Sequence, residues 1–278
     1  MVQIHHHSSI TEFEIFNDAY FVENYYATAA LNGIFSYLAS SPDQLKLSFN
    51  ITGQKDQNIL ALVVGTNPEL ILLYGTFWNN EMLTRLSELI SLNLNTRYQL
   101  SGQTQLIKAF LAHKKQRFET ITEKLIYKCT QENEIENKAT GRMMLAEMGD
   151  INPIAIMSEE FRIEEYGDRA PDTDMRAKVV IPGIYNKSIY KWVDGKTIRV
   201  IAQVNTENDS PIIGLFYTAK DSRKKGYGTA LLHSLTTKLL KEYVDVGLQA
   251  MANNNTSNAV FKRVGYEEFY QWIKVITL

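Results

Sequence analysis

The sequence predicts an α/β protein, a mixed sheet flanked by helices and built in two successive parts. Short apolar runs of strand type alternate with stretches whose apolar residues recur every three or four positions, the pattern of strands covered by amphipathic helices. The 278 residues are 45% hydrophobic and 22% charged, enough to bury the core of two ordinary domains or one large one. A polar, charge-rich segment, TQENEIENKATGR (130–142), interrupts the alternation and sets the expected domains at 1–135 and 136–278.

In the first part, NDAYFVENYYATAALNGIFSYLAS (17–40) reads as one or two helices, with Asn17 and Asp18 as caps. NILALVV (58–64) and ELILLYGT (69–76) read as strands joined by the turn GTNPE. NNEMLTRLSELISL (79–92) places Met82, Leu83, Leu86, Leu89 and Ile90 at helical spacing. SGQTQLIKAFLAHKKQRF (101–118) is expected as a second helix and EKLIYKC (123–129) as a strand. This half has no glycine-rich turn and offers no candidate chemistry, and HHH (5–7) reads as a flexible terminal run.

In the second part, MLAEMGDINPIAIMSEEFRIEEYGD (144–168) reads as helix interrupted near Pro153, and APDTDMRAKVVIPGIYN (170–186) is mixed, without clear boundaries. KSIYKWVDGKTIRVIAQV (187–204) is a hairpin, because Asp194-Gly195 suits a two-residue turn that needs positive φ. Ile198, Val200, Ala202 and Val204 alternate along its second arm. PIIGLFYT (211–218) is the next strand. TALLHSLTTKLLKEY (229–243) follows as a helix, with Leu231, Leu235, Leu239 and Tyr243 on one face and Ser234, Lys238 and Lys241 on the other. VDVGLQAM (244–251) alternates as a half-buried strand. SNAVFKRVG (257–265) is a short helix entered at Ser257 and closed by Gly265, and EEFYQWIKVIT (267–277) is the last strand.

A formal net charge of -2 gives no reason to expect a nucleic-acid or acidic-membrane partner. The longest apolar run, ILALVV (59–64), is far too short to span a bilayer, and the amino terminus lacks a basic stretch followed by an apolar core. The lone Cys129 has no intramolecular disulfide partner and reads as a small strand residue rather than a nucleophile. Together these features lead to a cytoplasmic expectation.

The chemistry-bearing stretch is GLFYTAKDSRKKGYGTALL (214–232), in which a strand runs into a basic, glycine-bearing turn and then a helix. Its spacing is Arg223-x-x-Gly226-x-Gly228. Glycines let the backbone approach a ligand without a Cβ in the way, and the first N–H groups of a helix have no intrahelical acceptor and sit at the positive end of its dipole. Such a turn suits a pyrophosphate, with Arg223, Lys224 and Lys225 at the rim. The alternative is an ordinary tight turn with solvated lysines. Two other phosphate loops are excluded: a Rossmann turn needs a third glycine where Leu231 stands, and the GKT at 195–197 is preceded by Tyr190 where a Walker loop needs glycine.

IIGLFYTAKDSRKKGYGTALLHSL resembles the acyl-CoA-binding motif of the GCN5-related N-acetyltransferases, Gln/Arg-x-x-Gly-x-Gly/Ala after a strand. ANNNTSNAVFKRVGYEEF is similar to that family's following segment, Asn-x-x-Ser, a short helix and Gly-Phe/Tyr. The match covers residues 187–275 and loosely reaches back to about 140. The resemblance implies a complete fold of that family in the second half and an incomplete copy, unable to bind coenzyme, in the first. It implies acetyl-CoA as co-substrate, no metal, and transfer to a primary amine by direct attack. The diphosphate would rest on the amides of Lys224, Lys225, Gly226, Tyr227, Gly228 and Thr229, and the pantetheine arm on Phe216, Tyr217 and Thr218 as an added strand. In the family this strand splays from the one carrying Val246 and Leu248. Asn254 and Ser257 fall at the Asn-x-x-Ser positions beside the coenzyme, with helix capping as the other reading of Asn254.

Many relatives place a tyrosine acid four residues before the closing glycine, and here that position is Phe261. Tyr217 and Tyr266 are the candidate replacements, each with packing as its plainer reading. Glu164, Glu165, Glu207, Asp209 and His233 are weighed as base, and none is preferred. A non-catalytic acyl-CoA-binding module and a structural protein with a vestigial turn stand as rival readings. The expected partner is an amine-bearing acceptor, and a second copy of the chain is left open.

Overall fold

The computed structural model describes residues 1–54, 56–93, 96–136, 139–167, 173–207 and 210–278, without the side chain of Glu207. Contacts divide the chain into Met1–Leu125 with Tyr270–Leu278, and Ile126–Phe269. The division differs from the expected 1–135 and 136–278 because the last strand pairs with a strand of the first unit: Trp272 lies opposite Gln103 and Ile276 opposite Gln99.

The first unit contains β1 (Gln3–His6), α1 (Ile10–Phe16), α2 (Asp18–Glu23), α3 (Tyr25–Thr28), α4 (Leu31–Ser40), β2 (Leu45–Thr52), β3 (Asn58–Val64), β4 (Glu69–Gly75), α5 (Asn80–Leu89), β5 (Tyr98–Gln103) and α6 (Thr104–His113), and most of β6 (Phe118–Cys129). Its strands run in the order β1-β2-β3-β4-β5, followed by the chain's final strand, with only β4 and β5 parallel among the pairs β1 to β5. Phe49, Ile51, Ile59, Ile71, Leu73, Leu100, Ile273 and Val275 on one sheet face meet Met82, Leu86, Leu106 and Phe110 from α5 and α6. The three histidines are not a loose end. His5 and His7 lie on or beside β1, and His7 Nε2 meets Asn50 Oδ1 at 2.9 Å. Asn50 Nδ2 already donates to Asn17 and Asn58, so its oxygen accepts and His7 donates. The expected helix 101–118 begins only at Thr104, because Leu100 to Gln103 continue a strand with Gly102 at φ 140.

The second unit contains β7 (Arg142–Leu145), α7 (Ile151–Tyr166), a π-helical segment (Arg176–Val180), α8 (Ile181–Tyr185), β8 (Ile189–Asp194), β9 (Thr197–Glu207), β10 (Ser210–Thr218), α9 (Tyr227–Leu239), β11 (Val246–Met251), α10 (Asn255–Val264) and the start of β12 (Glu267–Thr277). Its strands run β11-β10-β9-β8-β7, with β10 and β11 parallel and the other pairs antiparallel. Pro153 does not break α7. It sits in the first turn, where its missing N–H would have had no acceptor. α7 and α8 cover one sheet face through Ile154, Met157 and Ile184, packed on Ile189, Ile201, Leu215 and Tyr217. Phe216 points to the other face, where its ring lies 6.0 Å from that of Phe261 on α10.

Both units pass through a strand, a helix, a parallel strand and a second helix, β4-α5-β5-α6 and β10-α9-β11-α10. They differ where it matters for a ligand. β4 and β5 pair over Glu69–Leu73, and α5 is capped by the Asn79 side chain, which accepts from Met82 N–H. β10 and β11 pair only at Ile212 and Ile213, and α9 opens on Gly226 without a side-chain cap.

Candidate functional site

The opening between β10 and β11 has a local cause. Between Gly214 and Tyr217 the strand carries one residue more than its partner β9, a bulge in which Leu215 takes φ 45. The bulge bends β10 away, so no pairing with β11 follows Ile213–Leu248 among the described residues. The chain then makes a turn at Lys220–Ser222 and bends again at Lys224, φ 61, and Gly226, φ 84.

Among the described residues, the N–H groups of Lys224, Lys225, Gly226, Tyr227, Gly228 and Thr229 donate to no protein acceptor, and the first bond of α9 is Ala230 N–H to Gly226 C=O at 2.9 Å. A Cβ built on Gly226 meets only Ala139 Cβ, at 3.9 Å, so the space beside Gly226 is open. Gly228 is needed for a different reason: a Cβ there would stand 3.0 Å from Thr218 Oγ1 and 3.7 Å from the Phe216 ring. Consecutive unpaired amides at a positive helix end form an anion site whose donors are fixed before anything binds. Tyr227, the first residue of α9, anchors the turn through its hydroxyl, 2.7 Å from Asp194 Oδ2. That bond, before a Thr140 hydrogen bond and the Arg199 charge, holds the Asp194 carboxyl below its usual range.

The cationic rim is less uniform than the sequence suggests. Arg223 turns to α7, with Nη2 at 3.0 and 2.8 Å from the two Glu164 oxygens, Nε donating to Thr218 C=O and the guanidinium 5.2 Å from the Tyr217 ring centroid. Lys225 donates to Asp221 C=O at 2.9 Å. Lys224 is exposed and makes no such bond among the described residues.

Of the two tyrosines considered for the acid step, Tyr217 is buried on the α7 face with its hydroxyl 3.1 Å from both Glu160 Oε2 and Glu164 Oε1. Burial, then the Glu160 hydrogen bond and the charges of Glu164 and Glu160, raises its phenol well above the usual value. Tyr266 is buried in the core, 2.8 Å from Thr236 Oγ1 on α9, and burial raises its phenol further. Phe261 is also buried, with its ring against Phe216, Tyr127 and Tyr266. Asn254 caps α10 by accepting from Ser257 N–H at 3.1 Å, so the helix starts at Asn255 rather than at Ser257. Of the carboxylates weighed as base, Glu164 is committed to Arg223 and Lys220. Asp209 and the side chain of Glu207 lie outside the described residues. His233 is half-buried on α9.

Two residues were not singled out in the sequence. Glu160 stands one helical turn before Glu164, and its i,i+4 spacing carried the signal that both share a face of α7. Asn258 is buried at the start of α10, donating to Met251 and Ala252 C=O at the end of β11 while its Oδ1 has no partner among the described residues. Nothing in the sequence pattern distinguished it from the asparagines around it.

Residues 191–274 match the model of the family described as FR47-like protein. Among solved structures, an acetyltransferase from the GNAT family of Colwellia psychrerythraea shares 13% identity over 99% of this chain and 98% of its own, with a TM-score of 0.57. The GCN5-related N-acetyltransferase of Sphaerobacter thermophilus is also 13% identical, covering 84% of this chain and 80% of that one at a TM-score of 0.54. The chain has the GNAT fold. The family resemblance and the fold class expected from the two motifs are thereby borne out. No curated protein matches the sequence. Within the GNAT fold of the second unit, the bulged strand, the glycine turn and the start of α9 form one continuous lip. No helix among the described residues is long and apolar enough to cross a membrane.

Proposed function

We propose that the protein is an acetyl-CoA-dependent N-acetyltransferase that acts on a primary amine. The observation that carries this reading is the run of six unpaired amides from Lys224 to Thr229 beside a Gly226 whose approach is open. These residues fit a diphosphate, and the unpaired edge of β10 past Ile213 fits an extended amide-bearing arm lying along it as an added strand. Asn258 Oδ1, buried and without a described partner, is a fitting acceptor for an N–H of that arm. The coenzyme supplies an acyl group activated as a thioester.

The acceptor ammonium has to lose a proton before it can attack, and on the α7 face two carboxylates converge on Tyr217. Glu164 is neutralised by Arg223 and Lys220. Glu160 has only the Tyr217 hydroxyl as its described partner, which makes it the carboxylate to hold the amine and take its proton. Neither phenol weighed for the acid step is free to protonate the departing thiolate, since the hydroxyls of Tyr217 and Tyr266 are engaged. A thiol of pKa about 8.5 needs only about 2 kcal/mol to leave as thiolate near neutrality, so a dedicated acid is dispensable.

The test is thermal shift and thiol release with acetyl-CoA across an amine panel. Saturable stabilisation with amine-dependent thiol release is expected, and Gly226→Trp should abolish both. No stabilisation of the parent protein would sink the reading. A second reading, a non-catalytic acyl-CoA-binding module, is supported by Phe261 and by the engaged hydroxyls of Tyr217 and Tyr266. It predicts stabilisation without thiol release.

A further inference from the structure

The turn at the candidate site cannot be fixed by its own main chain. From Lys224 to Thr229 no amide donates within the protein among the described residues, so the backbone hydrogen bonds that ordinarily hold a tight turn are missing. Lys224 nonetheless keeps φ 61, a left-handed conformation that a residue with a Cβ holds only when its surroundings impose it. A turn whose donors stay free for a ligand has to be held by side chains instead.

Those side chains meet at Arg199 of β9. Its C=O accepts from Ala219 N–H at 3.0 Å, just past the end of β10, and 23% of its side chain is exposed. Nη1 donates to the buried Ser222 hydroxyl at 3.4 Å, and Ser222 donates onward to Asp221 Oδ1 at 2.9 Å. Asp221 in turn receives Lys225 Nζ on its C=O. At the other limb the Arg199 guanidinium lies 5.8 Å from the Tyr227 ring centroid. Its Nη2 is 3.8 Å from Asp194 Oδ2, the oxygen that accepts the Tyr227 hydroxyl. One guanidinium thus touches Asp221 and Ser222, where the chain enters the turn, and Tyr227, where it leaves. Arg199 Nε is buried without a partner among the described residues, a cost that an apolar residue packed in its place would avoid.

We propose that Arg199 is a positioning residue for the diphosphate, clamping both limbs of the turn so that its amides are ordered before the coenzyme arrives. For its ligand the proposal rests on the acetyltransferase reading, and Arg199 takes no part in the chemistry. Asp194 and Asp221 place negative charge beside a site that has to accept an anion, and Arg199, 3.8 Å from a carboxylate oxygen of each, offsets part of it. Without the clamp the coenzyme would have to order the turn as it binds, which weakens affinity and leaves the bound geometry unchanged. A lysine keeps the charge, but a single ammonium lacks the planar fork that reaches both limbs.

The experiment compares the full chain with Arg199→Met and Arg199→Lys, using acetyl-CoA and S-acetylpantetheine, which carries the same thioester without the diphosphate. Arg199→Met should lower kcat/KM for acetyl-CoA about tenfold, all of it through KM, with kcat/KM for S-acetylpantetheine held within about twofold. Arg199→Lys should fall between Arg199→Met and the parent. A second readout needs no coenzyme. Gly226 is the only glycine that follows a lysine, so 13C-lysine and 15N-glycine labelling isolates its amide resonance. Its order parameter should drop from about 0.85 to below about 0.6 in Arg199→Met. The proposal is overturned if Arg199→Met loses both donors equally, which would mean a general loss of structure. It is also overturned if the acetyl-CoA KM and the Gly226 order parameter both stay at their parental values. Should circular dichroism show Arg199→Met unfolded, Arg199→Lys is judged by the same criteria. If the parent binds no acetyl-CoA, the acetyltransferase reading fails, and the Gly226 order parameter alone decides whether Arg199 holds the turn.

Discussion

The Tyr217 hydroxyl lies 3.1 Å from Glu160 Oε2 and 3.1 Å from Glu164 Oε1. A phenol has one proton, so it donates to one carboxylate at a time and shows its lone pair to the other. Arg223 and Lys220 settle the matter at Glu164, which they already neutralise, and Glu160 is left as the carboxylate in need of a cation. Glu160→Gln keeps the shape and the contact with Tyr217 but removes the charge. Amine acetylation by this variant should fall by a factor of about 10²–10⁴ in kcat/KM. Acetyl-CoA binding should stay within about twofold, because Glu160 is not among the turn amides. Part of the lost rate should return at alkaline pH, where more of the amine is already neutral. An unchanged kcat/KM would remove Glu160 from the reaction and leave the coenzyme site standing.

Asn254 has a structural duty that can be separated from any contact with the coenzyme. Its side chain accepts from Ser257 N–H at the start of α10. Asn254→Ala should cost about 1 kcal/mol, lowering the melting temperature by about 2–4 °C. Asn254→Asp, which caps equally well, should restore stability. If Asn254→Asp is stable and yet binds acetyl-CoA much more weakly than the parent, Asn254 also touches the coenzyme. If both variants bind as the parent does, its role ends with the cap.

The turn was legible in the sequence because its chemistry is main-chain chemistry. Glycine at 226 and 228 after an apolar run states that the backbone bends and is approached closely, whatever packs around it. The second-unit strands were equally legible, since the glycine hairpin and the alternation from Ile198 to Val204 are local signals; the turn itself falls one residue later than expected, at Gly195 and Lys196, because Asp194 still pairs with Thr197. Elements set by tertiary pairing were not. β2 (Leu45–Thr52) and β5 have no sequence punctuation that separates them from their neighbours, and β5 ran into the helical pattern of α6. The grouping of the last strand with the first unit was hidden for the same reason: nothing within EEFYQWIKVIT announces that Trp272 to Ile276 pair with β5. The carboxylate cluster around Tyr217 was half visible. Glu164 was noticed as a loose carboxylate, but its engagement by Arg223 depends on a contact across 59 positions of sequence.

Alkaline pH should unfold this protein more sharply than its composition alone suggests. Burial raises the phenols of Tyr20, Tyr217, Tyr266 and Tyr270 far above the usual value, and that of Tyr74 to about 12. In the unfolded chain each ionises near pH 10. Below that pH both states hold the proton, and the stabilisation is fully present. Above it the unfolded chain releases protons that the folded chain retains, so folding stability falls as pH rises. For Tyr74 the loss runs from about pH 10 to about 12, and two pKa units correspond to about 3 kcal/mol. Chemical denaturation at a series of pH values should show a plateau through neutrality and a decline beginning near pH 10. Tyr74→Phe removes one ionisable phenol and should make that decline shallower by about one proton's slope. A decline of equal slope in the variant would mean that Tyr74 ionises as freely in the folded protein as in the unfolded chain, contrary to its burial between Tyr270 and Trp272.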